Sequence, residues 1–207
     1  MMCGRFARTV PVEKIACEFG VTAGCTIPPS RNCAPGTDIA LITGGDDYFI
    51  RASFWGLMPD WGKNFLKAPL INIRQETLTE KKTFSPLLER GRCLVPADGF
   101  YEWKKCAAGR HPYFICLPRK QLFYMAALKN EQGCAVITCP AEPSIAGIHH
   151  RMPLIFSREE GYHWFSDTFD SLLRAGPKRF ALRAEPVSPS LNDPENEGPL
   201  YVEKDGD

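Results

Sequence analysis

A cysteine stands third in the sequence, directly after two methionines. If the residues before Cys3 are removed, the chain begins with an α-amine of pKa roughly 7.7–8.0 beside a thiol of pKa about 8.5. Both groups are then nucleophilic near neutral pH, whereas an ordinary lysine amine is mostly protonated. Cys3 is therefore a candidate nucleophile; the alternative is a terminal cysteine that only packs against a sheet.

A second candidate site lies in the segment 70–77, where Asn72 and Arg74 alternate with Ile71 and Ile73. In a strand, this alternation sends the two polar side chains to the same face. An arginine fork suits phosphate, and an asparagine amide both donates and accepts hydrogen bonds. The segment predicts a ligand-binding pair, or else a strand face that is simply exposed to solvent.

Two further segments carry groups that transfer protons. Glu102 lies among aromatic residues, where loss of water would raise its pKa toward neutrality. The alternative places the aromatic rings in the core and Glu102 in water. His149 is followed by His150 and Arg151, which together offer a proton carrier and an anion partner. Such residues also occur in ordinary polar loops.

The composition is that of a folded protein: 207 residues, 44% hydrophobic and 24% charged. This excludes a mainly disordered chain and predicts one domain. The net charge of +1 does not indicate a nucleic-acid binder, but residues 51–120 hold 13 Lys and Arg against 6 Asp and Glu. A polyanion is therefore expected to bind the middle of the chain, unless these charges are scattered over different faces.

Other classes of protein are disfavoured by what the sequence lacks. It has no apolar run of about 20 residues and no signal peptide, so we expect a cytoplasmic protein without a membrane segment. Nine cysteines, an odd number, predict reduced thiols rather than a disulfide framework. No Cys-x-x-Cys pair occurs, and we expect neither a metal nor a cofactor.

Short strands and few helices are predicted to position these residues. The apolar spacing predicts a helix at 12–19, Ser85-Pro86 opens another, and Ser157 with Glu160 forms a capping box. A hairpin turn is expected at 44–47, and the spacing between strands is too short for most parallel crossovers. The predicted fold is α+β: one domain (residues 1–193) with a mostly antiparallel, bent or partly closed sheet flanked by short helices, and an acidic polar tail (194–207).

Six short motifs occur in order along the chain: Met-Cys-Gly-Arg-Phe at 2–6, Asn-Cys-Ala-Pro-Gly at 32–36, Trp-Gly-Leu-Met-Pro-Asp-Trp at 55–61, Ile-Asn-Ile-Arg-Gln-Glu-Thr at 71–77, Asp-Gly-Phe-Tyr-Glu-Trp at 98–103 and Ile-His-His-Arg-Met-Pro at 148–153. In this order they resemble the SOS response-associated peptidase (SRAP) family of abasic-site shielding proteins. The resemblance covers residues 2 to about 193.

The resemblance implies a covalent reaction with DNA. Family members expose the cysteine as their first residue and crosslink to abasic sites in single-stranded DNA through a thiazolidine ring. By motif position, Cys3 is the nucleophile, Glu102 transfers protons during imine formation, His149 assists opening of the sugar ring, and Asn72 orients the terminal amine and the sugar.

The resemblance also implies a DNA-binding surface. Arg5, Arg74 and Arg151 are predicted to contact phosphates, and Trp55 and Trp61 to stack against bases, although Trp55 is better suited to the core. We expect a monomer without a cofactor, cytoplasmic and associated with the nucleoid when on DNA.

Two features depart from the family pattern. Met1 and Met2 both precede Cys3, so either translation starts at Met2 or self-cleavage removes a longer leader. Gly62 follows Trp61 where some relatives carry another aromatic residue. The expected activity is that of an autopeptidase and crosslinking protein with lyase-like Schiff-base chemistry; the alternatives are a cysteine protease that cleaves other proteins and a noncovalent single-stranded DNA binder.

Overall fold

Two β-sheets and five short helices make up the computed structural model, which describes residues 3–44, 48–80, 82–107, 109–175 and 180–197. Within these residues the helices are α1 (Val12–Phe19), α2 (Gln75–Glu80), α3 (Ser85–Arg90), α4 (Arg158–Phe165) and α5 (Asp170–Ala175). The strands are β1 (Phe6–Arg8), β2 (Thr22–Ala23), β3 (Ser30–Cys33), β4 (Asp38–Thr43), β5 (Phe49–Phe54), β6 (Asn72–Arg74), β7 (Arg92–Ala97), β8 (Gly99–Cys106), β9 (Gly109–Cys116), β10 (Phe123–Lys129), β11 (Cys134–Pro140), β12 (Arg151–Pro153), β13 (Ile155–Phe156) and β14 (Arg183–Pro186).

The smaller sheet has the strand order β14-β9-β8-β1-β3. The larger sheet runs β12-β11-β10-β7-β4-β5-β2, with β13 paired to β10 and β6 paired to β11. Strand pairs are antiparallel except β2 with β5 and β6 with β11. The predicted α+β class and the mostly antiparallel pairing are confirmed.

One hydrophobic core joins the two sheets. Phe6 and Phe100 from the smaller sheet belong to the same buried cluster as Leu94 and Met125 from the larger sheet. Phe6 on β1 lies opposite Phe100 on β8, so the strand that follows Cys3 is fixed by buried aromatic residues. The core thereby holds the N-terminal strand against β8, which carries Glu102.

Local sequence signals account for two of the helices. The 3.6-residue apolar spacing of α1 buries Val12, Ile15, Ala16 and Phe19. At α4, the Ser157 hydroxyl accepts from the Glu160 N–H, and the Glu160 carboxylate accepts from the Ser157 N–H, so the predicted capping box is confirmed.

The chain end that the structure describes packs on the smaller sheet. Leu191 is fully buried, and the Asn32 side chain donates to the backbone carbonyls of Asp193 and Asn196 at 2.8 and 3.0 Å. Residues 194–197, assigned by sequence to the tail, therefore contact the domain. The rest of the predicted tail (198–207), most of the predicted hairpin turn (45–47) and Met1-Met2 lie outside the described residues.

Candidate functional site

Cys3 lies just before β1 and is fully buried. Its backbone N–H donates to the Glu102 Oε1 atom at 2.7 Å. The backbone φ angle of Cys3 is +33°, in the left-handed region that L-residues rarely adopt. Such a conformation costs about 1–3 kcal/mol and must be held by the surrounding structure.

Glu102 is buried on β8, directly beside the N-terminal segment. Burial raises the pKa of this carboxyl to about 7, and the hydrogen bond from the Cys3 N–H partly offsets the rise. Of the two environments that the sequence left open for Glu102, the structure shows the desolvated one. A carboxyl with this pKa can both accept and return a proton near neutral pH.

The Cys3 thiol is held in its protonated form. Burial, with the nearby Glu102 charge as the second cause, raises the pKa of this thiol well above its ordinary value. The site therefore does not stabilise a free thiolate. A reaction at this sulfur needs a nearby group to accept its proton, and Glu102 is close enough for its charge to act on the thiol.

Asn72 approaches Cys3 from the larger sheet. The Asn72 Nδ2 atom donates to the Cys3 carbonyl oxygen at 3.3 Å. The parallel pairing of β6 with β11 places Asn72 opposite Val136 and Arg74 opposite Thr138. Asn72 and Arg74 share one strand face as predicted, and both line a cavity of about 370 Å³.

Trp61 forms one wall of that cavity, which is completed by Leu70, Ile73, Thr77, Thr83 and Phe84. The side chain of Trp61 is 39% exposed, and its ring meets Phe84 edge to face at 5.6 Å. Trp61 thus presents an aromatic surface beside the exposed Arg74. The predicted exposure of Trp61 is confirmed.

His149 reaches the same site from the turn before β12. Its Nδ1 atom lies 3.9 Å from Glu102 Oε1 and 3.1 Å from both the N–H nitrogen and the carbonyl oxygen of Arg151. The fold therefore brings together Cys3, Asn72, Glu102 and His149, although 146 positions separate the first from the last.

Trp55 does not belong to this surface. Its side chain is fully buried, its Nε1 atom donates to the Ile71 carbonyl at 3.0 Å, and its ring meets Phe6 at 5.3 Å. Stacking on a base would require this part of the core to open. The expected core position of Trp55 is confirmed, and its burial argues against base stacking in this conformation.

Arg5 and Arg151, predicted to contact phosphates, are engaged within the protein. Arg5 donates to the Asn32 side chain at 2.7 Å and to the Leu191 carbonyl at 2.8 Å. Arg151 is buried and forms an ion pair with Glu76 at 2.7 Å. These contacts oppose direct phosphate binding by either guanidinium in this conformation, whereas Arg74 is exposed.

Sequence reasoning missed Asn32 and Glu76 as organisers of the site. Both stand inside the motifs on which the family resemblance rests, and that position was the available signal. Nothing in the local pattern indicated that Asn32 would receive Arg5 or that Glu76 would receive Arg151, because these partners lie 27 and 75 positions apart.

The fold and the four converging residues define a small α+β protein with a buried, N-terminal cysteine site. Residues 2–194 match the sequence model of the family described as SOS response associated peptidase (SRAP). The chain belongs to this family. Among the described residues, the helices lack the combined length and hydropathy needed to cross a membrane.

Curated proteins and solved structures show the same relationship. The chain is 33% identical to the abasic site processing protein YedK of Escherichia coli, covering 79% of each chain. It is 32% identical to the abasic site processing protein YoqW of Bacillus subtilis, covering 98% of this chain and 99% of that protein. A phage-related protein of Bordetella bronchiseptica superposes with a TM-score of 0.75 at 25% identity, covering 89% of this chain and 94% of that one.

Proposed function

We propose that this protein recognises abasic sites in single-stranded DNA and shields them by forming a covalent crosslink through Cys3. The relatives named as abasic site processing proteins support the substrate. One observation carries the chemistry: the backbone nitrogen of Cys3 lies 2.7 Å from a buried carboxyl, that of Glu102. In a chain that begins at Cys3, this nitrogen is the reactive amine.

The proposed reaction has two bond-forming steps. The α-amine of Cys3 adds to the aldehyde carbon of the opened deoxyribose, and loss of one water gives an imine. The Cys3 sulfur then adds to the same carbon while the thiol proton passes to the imine nitrogen, which closes a five-membered thiazolidine ring. Because both nucleophiles belong to one residue, ring closure benefits from a high effective concentration.

Each neighbouring side chain has a role in this scheme. Glu102 accepts and returns protons at the amine and the sulfur, since its pKa is raised to about 7. Asn72 orients the residue by its bond to the Cys3 carbonyl. His149, whose Nδ1 atom lies 3.9 Å from Glu102 Oε1, assists opening of the sugar ring.

Removal of the leader is part of the proposal. Hydrolysis of the peptide bond before Cys3 consumes one water and releases the amine that the crosslink needs. The left-handed φ angle at Cys3 supports cleavage at this bond, because backbone strain in the uncleaved chain is relieved when the peptide bond breaks. Glu102 is placed to protonate the leaving nitrogen.

DNA binding is assigned to the surface around the 370 Å³ cavity. Arg74 supplies a cationic fork for the backbone, and Trp61 supplies a ring for base stacking. The excess of positive charge in residues 51–120 supports the binding of a polyanion to this part of the chain.

Intact mass spectrometry tests the proposal. Protein that begins at Cys3 should gain the mass of an abasic oligonucleotide less one water, and the adduct should persist on a denaturing gel. Cys3→Ala should give no adduct, and an oligonucleotide whose abasic sugar is reduced should give none with either protein. A stable adduct with Cys3→Ala would overturn the proposed chemistry.

The alternative of a cysteine protease is less well supported. Such an enzyme activates its nucleophile as a thiolate beside an imidazolium. Here the pKa of the Cys3 thiol is raised, and His149 Nδ1 lies near the Arg151 backbone and Glu102. The alternative of noncovalent DNA binding predicts salt-sensitive association without an added mass.

A further inference from the structure

Glu76 and Arg151 form a two-point ion pair beside the proposed site. Arg151 Nη1 donates to Glu76 Oε1 at 2.7 Å, and Arg151 Nη2 donates to Glu76 Oε2 at 2.9 Å. A paired fork of this kind fixes orientation as well as distance. The Arg151 side chain is 10% exposed and that of Glu76 is 44% exposed, so solvent screens the pair mainly from the carboxylate side.

The same guanidinium is tied to the larger sheet. Arg151 Nη2 also donates to the Thr138 carbonyl at 2.5 Å and to its hydroxyl at 3.2 Å. Thr138 lies on β11, opposite Arg74 of β6 and Pro153 of β12. The Arg151 side chain therefore links α2, β11 and β12 into one unit.

The backbone of Arg151 holds the ring of His149. β12 is the edge strand of its sheet, and the N–H of Ala141 donates to the His150 carbonyl. In an antiparallel ladder, hydrogen-bonded and non-hydrogen-bonded residue pairs alternate. The next pair, Pro140 and Arg151, is of the second kind, so the N–H and C=O of Arg151 point away from β11. Both groups lie 3.1 Å from His149 Nδ1, which accepts from the N–H in one tautomer and donates to the C=O in the other.

We propose that Glu76 is a positioning residue for His149 and acts through Arg151. By clamping the Arg151 side chain, Glu76 fixes the edge backbone that holds His149 Nδ1, and leaves Nε2 as the nitrogen that meets the sugar. The inference rests on the proposed function, in which His149 assists opening of the abasic sugar. It gives Arg151 a structural role through its ion pair with Glu76.

The rate of crosslinking tests whether the Glu76–Arg151 ion pair positions His149. Glu76→Gln keeps one acceptor but loses the charge, and Glu76→Ala loses both. We expect the rate constant for adduct formation to fall about tenfold with Gln and further with Ala, because small displacements of a catalytic group are costly. Noncovalent affinity for the reduced abasic oligonucleotide should stay unchanged.

Asp170→Asn is the matched control. Asp170 forms an exposed ion pair with Arg174 at 3.4 Å on α5, so its loss removes a carboxylate and a salt bridge away from His149. Its crosslinking rate should equal that of the wild type. A Glu76→Gln rate equal to that of the control would overturn the inference.

Nitrogen NMR of His149 gives a readout that needs no crosslink. In the wild type the neutral ring should occupy one tautomer, with separate Nδ1 and Nε2 resonances. In Glu76→Ala the ring should exchange between tautomers, so the Nδ1 and Nε2 chemical shifts should move toward their average. An unchanged single tautomer in Glu76→Ala would overturn the inference even where crosslinking had slowed.

Tighter DNA binding by Glu76→Gln would also overturn the inference that Glu76 positions His149. If Glu76→Gln strengthened DNA binding and steepened its salt dependence by about one phosphate contact, Arg151 would be a phosphate ligand that Glu76 covers. If instead the wild type formed no adduct, the proposed function would fail, while the tautomer measurement would still decide the role of Glu76.

Discussion

Glu102 combines two opposing influences on one carboxyl group. Burial favours its protonated form, while the N–H of Cys3 favours the carboxylate. The balance places the pKa at about 7, where neither form dominates. One residue can therefore serve successive steps in which a proton must first be removed and then returned.

The raised pKa of Glu102 predicts a pH-dependent stability. Between the ordinary value of 4.5 and about 7, the folded chain binds more protons at this group than the unfolded chain. Its contribution is thus present below pH 4.5 and is lost as the pH rises through 7, to a total of about 3 kcal/mol.

Urea unfolding at a series of pH values measures this contribution. The free energy of unfolding of Glu102→Gln minus that of the wild type should rise from low pH to pH 8, since Gln keeps a hydrogen-bond acceptor but does not ionise. A difference that is constant across this range would show that Glu102 has an ordinary pKa. The adduct rate of the variant should fall by about 10²–10⁴.

Single residues differed in how far the sequence foretold their surroundings. The turn around Trp61 predicted its exposure, which is confirmed, whereas the aromatic neighbours of Glu102 left open whether it is desolvated or faces water. The partners of Arg5 and Arg151 could not be predicted from the sequence, because a guanidinium can donate to a phosphate, a carboxylate or a carbonyl. Only the fold selects among these acceptors.

At the scale of elements, the three-residue strand β6 has the largest influence on the site. It pairs in parallel with β11, although most of the sheet is antiparallel. The pairing places Asn72 against Cys3 and directs Arg74 outward beside the Trp61 cavity. One short strand therefore contributes to both the proposed reaction and the proposed binding surface.

Replacing Arg74, the charged residue of β6, with alanine should weaken DNA binding. Arg74→Ala is expected to reduce the slope of log affinity against log salt concentration by about one phosphate contact. Arg110→Ala is the matched control, because Arg110 is equally a solvent-exposed strand arginine but lies on β9 of the other sheet. Fluorescence anisotropy with the reduced abasic oligonucleotide measures both. Equal slopes for the two variants would remove Arg74 from the interface.

Elements with a local signal were predicted well. The bounds of α1 follow from its periodicity, and the start of α4 follows from its capping box. The parallel partner of β6 has no such signal, since pairing over 60 residues depends on the whole sheet. Local chemistry therefore supplies the elements, and tertiary packing decides which of them meet.

At the scale of the whole molecule, Asn32 joins distant parts of the chain. Its Oδ1 atom accepts from Arg5, and its Nδ2 atom donates to carbonyls of the segment 191–196. Asn32 is buried, so these groups have few other partners. The strand that leads into Cys3 is thus connected, through Arg5 and Asn32, to the far end of the described chain.

Asn32→Ala should destabilise the fold by about 3 kcal/mol, because several buried polar groups lose their partner together. Hydrogen exchange should increase most in residues 188–196, and crosslinking should slow as the segment before β1 loosens. Ser190→Ala, which removes an exposed hydroxyl from the same segment, serves as the control. Equal exchange in both variants would show that Asn32 does not anchor this segment.

The overall organisation was accessible from the sequence in outline. One domain, an α+β class and a reduced set of cysteines follow from length, composition and turn spacing. The division into two sheets was not predicted, because alternation defines the face of a strand but not its neighbour. The domain boundary at 193 stays a prediction, and the contacts of residues 194–197 favour a later end.

The bond between Arg5 and the Leu191 carbonyl spans 186 positions. During ribosomal synthesis, the beginning of the chain therefore emerges long before its own support has been translated. Glu102, His149 and the 191–196 segment must all follow before the pocket closes around Cys3. A nascent chain therefore lacks the surroundings of Cys3 on which the proposed reaction depends until synthesis is nearly complete.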